Sequence, residues 1–185
     1  MIFGIILLFY VSSGGYTTFL FGQSYNFSNN TGFANGTGLE DQFSDYVARL
    51  EIRPADYLQF VNRVRLDHDS LYLARNEVTM KLGTTDNWFD LGYVYLRDDP
   101  NGLTQDKREE IYIEGKTKIA EFWSVYGSYR RNLVNSGNSI DGTLGFEYLD
   151  ECFGFALEAK RSFTRDRDVE PETRVSVKFR LLPFN

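Results

Sequence analysis

Arg174–Leu181 reads RVSVKFRL. Val175, Val177, Phe179 and Leu181 take one parity, and Arg174, Ser176, Lys178 and Arg180 take the other. Successive side chains of a strand point to opposite faces, so this segment has one apolar face and one largely cationic face. Working upstream, the same period of two recurs. Phe153, Phe155 and Leu157 alternate with Glu158 and Lys160. Trp123, Val125 and Tyr129 alternate with Ser124, Ser128 and Arg130. Ile111, Ile113 and Ile119 oppose Glu114, Lys116 and Lys118; Leu58, Phe60, Val64 and Leu66 oppose Gln59, Arg63, Arg65 and Asp67. Helical spacing fits none of these windows as well.

Turn-forming residues separate the segments at Pro54-Ala55-Asp56, Gly83–Asn87, Asn135–Asn138 and Glu170-Pro171-Glu172, and longer polar stretches lie at Ser28–Gln42 and Asp98–Lys107. The pattern predicts an all-β chain, an antiparallel meander of about ten strands of roughly 8–12 residues each. Strands of soluble proteins run about 5–6 residues, whereas strands that cross a membrane need about 9–11. One face is strongly charged, which a water-filled lumen tolerates and a sandwich core does not. Aromatics fall near strand ends at Tyr57, Trp88, Trp123 and Tyr148, as in interfacial girdles. Strand length and the alternation of short and long connections favour an outer-membrane barrel. Parity alone leaves open a soluble barrel with its apolar face inward.

Composition agrees with a folded chain. The 185 residues are 42% hydrophobic and 16% aromatic, too rich in aromatics for a disordered segment. A mean hydropathy of −0.36 suits a soluble protein or a barrel equally, because only alternate barrel residues meet lipid. No apolar run is long enough for a spanning helix. The net charge of −6 and the lack of a basic stretch argue against nucleic acid as partner. A single Cys excludes an internal disulfide framework and a thiolate zinc site. Met1–Val11 reads MIFGIILLFYV; residues 1–16 form an apolar segment of open role that lacks the basic start of an export signal and reads better as a hydrophobic strand or as residues translated from an arbitrary start.

Four stretches carry a resemblance to the lipopolysaccharide-assembly outer-membrane family LptD (OstA/imp), in the C-terminal part of its barrel. They are Thr17–Tyr25 (TTFLFGQSY), Gly38–Pro54 (GLEDQFSDYVARLEIRP), Leu58–Val78 (LQFVNRVRLDHDSLYLARNEV) and Tyr148–Leu181 (YLDECFGFALEAKRSFTRDRDVEPETRVSVKFRL), the last being the strongest. Met1–Tyr10 does not share it. Residues 17–185 are thereby expected to be the C-terminal portion of a barrel of about 26 strands, open or partial as an isolated chain. The resemblance implies a transporter, with no catalytic residue, cofactor or metal. By that resemblance it is expected to insert lipopolysaccharide into the outer leaflet of a Gram-negative outer membrane, around an LptE-like plug lipoprotein. An LptA-like periplasmic bridge supplies it through a domain absent from this sequence. It also implies that Cys152 pairs with a Cys of that domain, and that Thr173, Val175, Val177, Phe179 and Leu181 lie on one side of a lateral seam.

The residues themselves nominate other groups. Arg161, Arg165, Arg167 and Arg174 cluster near the final hairpin and suit lipid A phosphates, because guanidinium donors form a planar fork; a mixed-charge turn with Asp166 and Asp168 is the plainer reading. Asp67-His68-Asp69-Ser70 resembles a hydrolase set, but neighbours on a strand point apart, and a polar hairpin turn accounts for it. Asp98-Asp99-Pro100-Asn101-Gly102 with Asp106 lacks the spacing of a calcium loop. The Asn26, Asn29 and Asn35 sequons read as a polar loop. A small outer-membrane pore and an outer-membrane lipid hydrolase relying on His68 are the rival functions.

Overall fold

The computed structural model describes residues 1–10, 12, 14–28, 31–34, 36–97, 107–134, 137–164 and 170–181. These residues hold eleven strands and no helix: β1 (Ile2–Tyr10), β2 (Tyr16–Ser24), β3 (Tyr46–Ala55), β4 (Leu58–Leu66), β5 (Leu73–Gly83), β6 (Trp88–Leu96), β7 (Arg108–Ala120), β8 (Trp123–Asn132), β9 (Ser139–Leu149), β10 (Phe153–Ser162) and β11 (Glu172–Leu181). The strands follow one another in sequence order, a meander whose ends are β1 and β11, so the sheet is not closed on itself. One strand more than the sequence suggests comes from β1, the apolar segment at the start of the chain. Every strand has at least nine residues, long enough to cross a bilayer when tilted. Short connections at 11–15, 56–57, 84–87, 121–122 and 150–152 alternate with longer ones at 25–45, 67–72, 97–107, 133–138 and 163–171. That alternation is the pattern of periplasmic turns and extracellular loops.

The chain forms two units, Met1–Met80 with Gly92–Glu109, and Lys81–Leu91 with Glu110–Asn185. In the first, β1 pairs β2, β2 pairs β3 and β3 pairs β4, all antiparallel. Phe21, Ala48 and Val64 share one row and Phe19, Leu50 and Asn62 the next, so the apolar parity of each strand lands on one face. Asn62 breaks the apolar run. It is satisfied by Asn76, to whose Oδ1 its Nδ2 donates at 2.7 Å. Pro54 falls where the β3–β4 register shifts between Ile52 and Ala55, a place where its missing N–H costs the ladder nothing.

In the second unit β7 to β11 pair consecutively. One face carries Val125, Phe146, Leu157 and Val177 in a single register row; the other carries Lys116, Tyr126, Gly145, Glu158 and Ser176. A register shift between Lys118 and Ala120 takes Ile119 out of the strict alternation seen in the sequence. At the short-turn end of the apolar face, aromatic rings form a connected band. Trp123 stacks on Phe146 at 4.6 Å and meets Tyr148 at 4.8 Å, Tyr148 meets Phe153 at 6.5 Å, and Phe153 and Phe155 meet Phe179 at 6.2 and 5.5 Å. The Tyr148 hydroxyl donates to Asp150 Oδ2 in the adjoining turn at 2.9 Å, so an apolar ring ends in a polar tip, as suits a membrane interface.

Gly145 explains how the charged face is packed. It lies between Tyr126 and Glu158 in register, and a Cβ there would overlap the Tyr126 ring. The ring therefore crosses β9 over the bare glycine, and its hydroxyl donates to Glu158 Oε2 at 3.0 Å. We expect Gly145→Val to displace this ring and destabilise the chain by about 1–3 kcal/mol. Most of that loss should return in the Tyr126→Ala, Gly145→Val double variant. Thermal unfolding in detergent reads both, and equal stability of Gly145→Val and the parent chain would contradict the packing.

Candidate functional site

The site is the polar face, because it alone gathers charged and hydrogen-bonding groups from many strands. In the second unit it is concave. A depression of about 600 Å³ is lined by residues including Glu114, Lys116, Tyr126, Ser128, Glu158 and Lys178. Lys116 is paired with Glu147, and Lys178 Nζ stands 3.2 Å from Glu158 Oε2. In the first unit, Glu51 is buried on the equivalent face and fully engaged. Tyr16 and Gln59 donate to its Oε1 at 2.9 and 2.7 Å, and Arg49 Nη2 lies 2.7 Å from Oε2. The opposite faces are apolar and uncovered: Leu144 is 66% exposed and Phe179 69%. Among the described residues only Val61 and Leu96 are buried hydrophobics, and no large side chain is fully buried.

The β2–β3 loop is tied down over β4. Arg65 donates through Nη1 to the carbonyl of Thr37 and through Nη2 to that of Gly36 at 3.0 Å, while its Nε stands 3.3 Å from Asp45 Oδ2. Gly38 has φ +74° and passes so close to Asp45 that a Cβ would overlap the carboxylate, so only glycine fits there. Burial pushes the Asp45 carboxyl up despite the facing Arg65 guanidinium. Burial also pushes Glu40 up, but hydrogen bonds from its own amide, Gly36 N, Thr37 Oγ1 and Leu39 N outweigh this and leave it below its ordinary value.

His68 lies beside this latch. Its amide donates to Asp45 Oδ1 at 3.2 Å, and its ring nitrogens lie 3.3 Å from Asp69, 3.8 Å from Asp45 and 4.0 Å from Asp41. Ser70 Oγ donates to Asp67 Oδ1 at 2.6 Å, which holds Asp67 below the usual carboxylate range. Leu71 takes a positive φ of 58° to close the turn. The segment is a capped hairpin turn in which the serine hydroxyl serves the aspartate instead of the imidazole. Among the described residues no group of three or more His, Cys, Asp and Glu converges as metal ligands would.

The remaining nominated residues are dispersed. Cys152 is exposed and free in the short 150–152 turn, where Asp150 Oδ1 accepts from the amides of Cys152 and Phe153 at 2.8 and 2.7 Å; these bonds hold Asp150 below its ordinary value. Thr173, Val175, Val177, Phe179 and Leu181 share the exposed apolar face of β11. Arg161 is opposite Thr173 on that same face, with its guanidinium 5.1 Å from the Phe163 ring. Arg174 belongs to the polar face and lies 3.4 Å from Glu172. The two arginines therefore point to opposite sides of the hairpin. Arg165, Arg167, the 98–106 acidic stretch, Asn29 and Asn35 lie outside the described residues. Sequence reading missed the Arg65–Asp45–Gly38 latch, whose one local signal is glycine within a polar stretch.

We expect Arg65→Ala to leave a buried carboxylate uncompensated, at a cost of about 3 kcal/mol, and to open residues 25–45 to protease. Acid should act on the latch in two directions. Glu40, lowered in the folded chain, stabilises it above its ordinary 4.5, and this contribution is lost as pH falls through its folded value. Asp45, raised above its ordinary 3.8, instead relieves a folding cost as it takes up a proton. Glu40→Gln should thus flatten the acid-induced loss of loop protection. Unchanged proteolysis in Arg65→Ala would contradict the latch.

No curated protein matches the chain. A family model described as LptD, LPS transport system D, matches residues 4–123. The match begins inside β1, which corrects the exclusion of Met1–Tyr10 from the resemblance. It ends before Tyr148–Leu181, so the strongest of the sequence likenesses lies beyond it. A model covering more than half of the chain, on an all-β meander of membrane-length strands, is decisive: the chain belongs to the LptD family of lipopolysaccharide transport proteins.

Proposed function

We propose that this chain is the C-terminal wall of an outer-membrane translocon that delivers lipopolysaccharide to the outer leaflet of a Gram-negative cell. No bond is broken; the work is to give a molecule with two incompatible halves a path for each. The observation that carries this reading is the division of the β7–β11 sheet. A concave face holds Lys116, Tyr126, Glu147, Glu158 and Lys178, and an uncovered face holds Phe146, Leu157, Val177 and Phe179. Sugars, rich in hydroxyls, are held by the first through hydrogen bonds exchanged for those with water. Acyl chains move along the second, whose exposure to hydrocarbon costs nothing.

Residues 17–185 supply this wall, and residues 1–16 add its first strand. Thr173, Val175, Val177, Phe179 and Leu181 form one side of the lateral seam, a reading supported by the likeness of this stretch to the family's last strand and by the exposed apolar parity of β11. An LptE-like lipoprotein occupies the lumen and an LptA-like bridge feeds it from the periplasm. Cys152 joins the wall to a periplasmic domain, supported by its position in a short turn and its exposed thiol. A small pore is the second reading, favoured by the same concave polar face.

The test is site-specific photocrosslinking in a Gram-negative host. A photoreactive residue at Ser128, on the polar face, should form lipopolysaccharide adducts that one at Leu157 forms far more weakly. A pore with no adduct at Ser128 would contradict the transport reading.

A further inference from the structure

We propose that the polar faces of β10 and β11 form a two-pole anion site, built to hold a disaccharide that carries a phosphate at each end. The ligand class rests on the lipopolysaccharide reading above; the site itself rests on register and charge. Lys160 is directly opposite Arg174 in the β10–β11 ladder. Like charges directly opposed across a ladder repel. The next residue in that row is Thr143 on β9, which cannot neutralise them. Glu172 stands 3.4 Å from Arg174, but both are well exposed, and such a pair contributes little. This is the first pole.

The second pole lies four residues along β11. Lys178 is opposite Ala156 and Arg180 is opposite Gly154, so the two cations face small residues across the ladder. Gly154, Ala156, Lys160, Lys178 and Arg180 all line the depression described above. Glu158 engages Lys178, but among the described residues no carboxylate is within ion-pair distance of Lys160 or Arg180. On the polar face of the β10–β11 ladder, four cations thus stand against two carboxylates.

From Arg174 to Lys178 the strand advances roughly 13 Å, at about 3.3 Å per residue. Between the poles lie Ser176, Glu158 and the Tyr126 hydroxyl, groups that exchange hydrogen bonds with sugar hydroxyls. Anion, hydroxyls and anion in that order describe a bisphosphorylated disaccharide better than a single phosphate or an extended polyanion. The repulsion between Lys160 and Arg174 is relieved when a phosphate sits between them.

The experiment uses the full chain in detergent, with fluorescent bisphosphorylated lipid A, its monophosphorylated form and inorganic phosphate as probes. Bisphosphorylated lipid A should bind the parent chain, and Lys160→Gln with Arg180→Gln should weaken it at least tenfold. Lys118→Gln, whose cation belongs to a distant strand, should leave binding unchanged. The monophosphorylated form should bind the parent several-fold more weakly, and inorganic phosphate should compete only at far higher concentration. Without ligand, Lys160→Gln should unfold at the same or a higher temperature, because a repulsion is removed. Full binding by the double variant, or equal binding of both lipid A forms, overturns the two-pole site and leaves the transport reading standing. A parent chain that binds no form of lipid A overturns the transport reading and the ligand class together.

Discussion

Among the described residues, every strand turns alternate side chains to a face that no second layer of protein covers. A soluble fold packs such a face against another sheet or a helix, because burying apolar area is its main source of stability. In this chain Leu144, Val175 and Phe179 stand open, and buried apolar side chains are almost absent among the described residues. The rest of the structure follows from that one condition. An uncovered apolar face is stable only against hydrocarbon, and hydrocarbon forbids unpaired backbone polar groups, which is why the strands are long and laddered throughout. Aromatic rings collect at the short-turn end, where the hydrocarbon gives way to headgroups.

The opposite face has the reverse problem. Charged groups crowd one surface, and their stability comes from sharing partners across strands. Glu158 accepts from Tyr126, two strands away, and from Lys178 on the next strand, an arrangement possible because Gly145 leaves the intervening strand bare. Glu51 repeats the principle with Tyr16, Gln59 and Arg49. Packing of this kind fixes register across the polar face.

How much of this was legible beforehand depends on the range of the interaction. The alternation at Val175–Leu181 or Leu58–Leu66 is a property of neighbours two residues apart, so strands and their apolar parity were readable. The order of strands followed from short turns. The apolar start of the chain was ambiguous because β1 is apolar on both parities, and period two gives no signal there. Asn62 interrupts the apolar parity of its strand, and its partner Asn76 lies fourteen residues on, beyond any local pattern. The latch of Arg65 on Gly36, Thr37 and Asp45 spans 20 to 29 residues and depends on register, which no local pattern contains. Arg161 and Arg174 show the same limit: they are close at the hairpin, but adjacent rows of the ladder alternate in face, so the two point opposite ways.

The central claim is that the apolar face meets lipid and the charged face meets water. Single cysteines placed along β11 on a Cys152→Ser background, with the chain reconstituted in phospholipid vesicles, test it directly. Labels at positions 175, 177 and 179 should be quenched by a lipid-soluble quencher, and thiols at 176, 178 and 180 should react with a membrane-impermeant reagent from the aqueous phase. The opposite phase, with 177 water-reactive and 178 lipid-quenched, would contradict the account and place the apolar residues inside a soluble barrel.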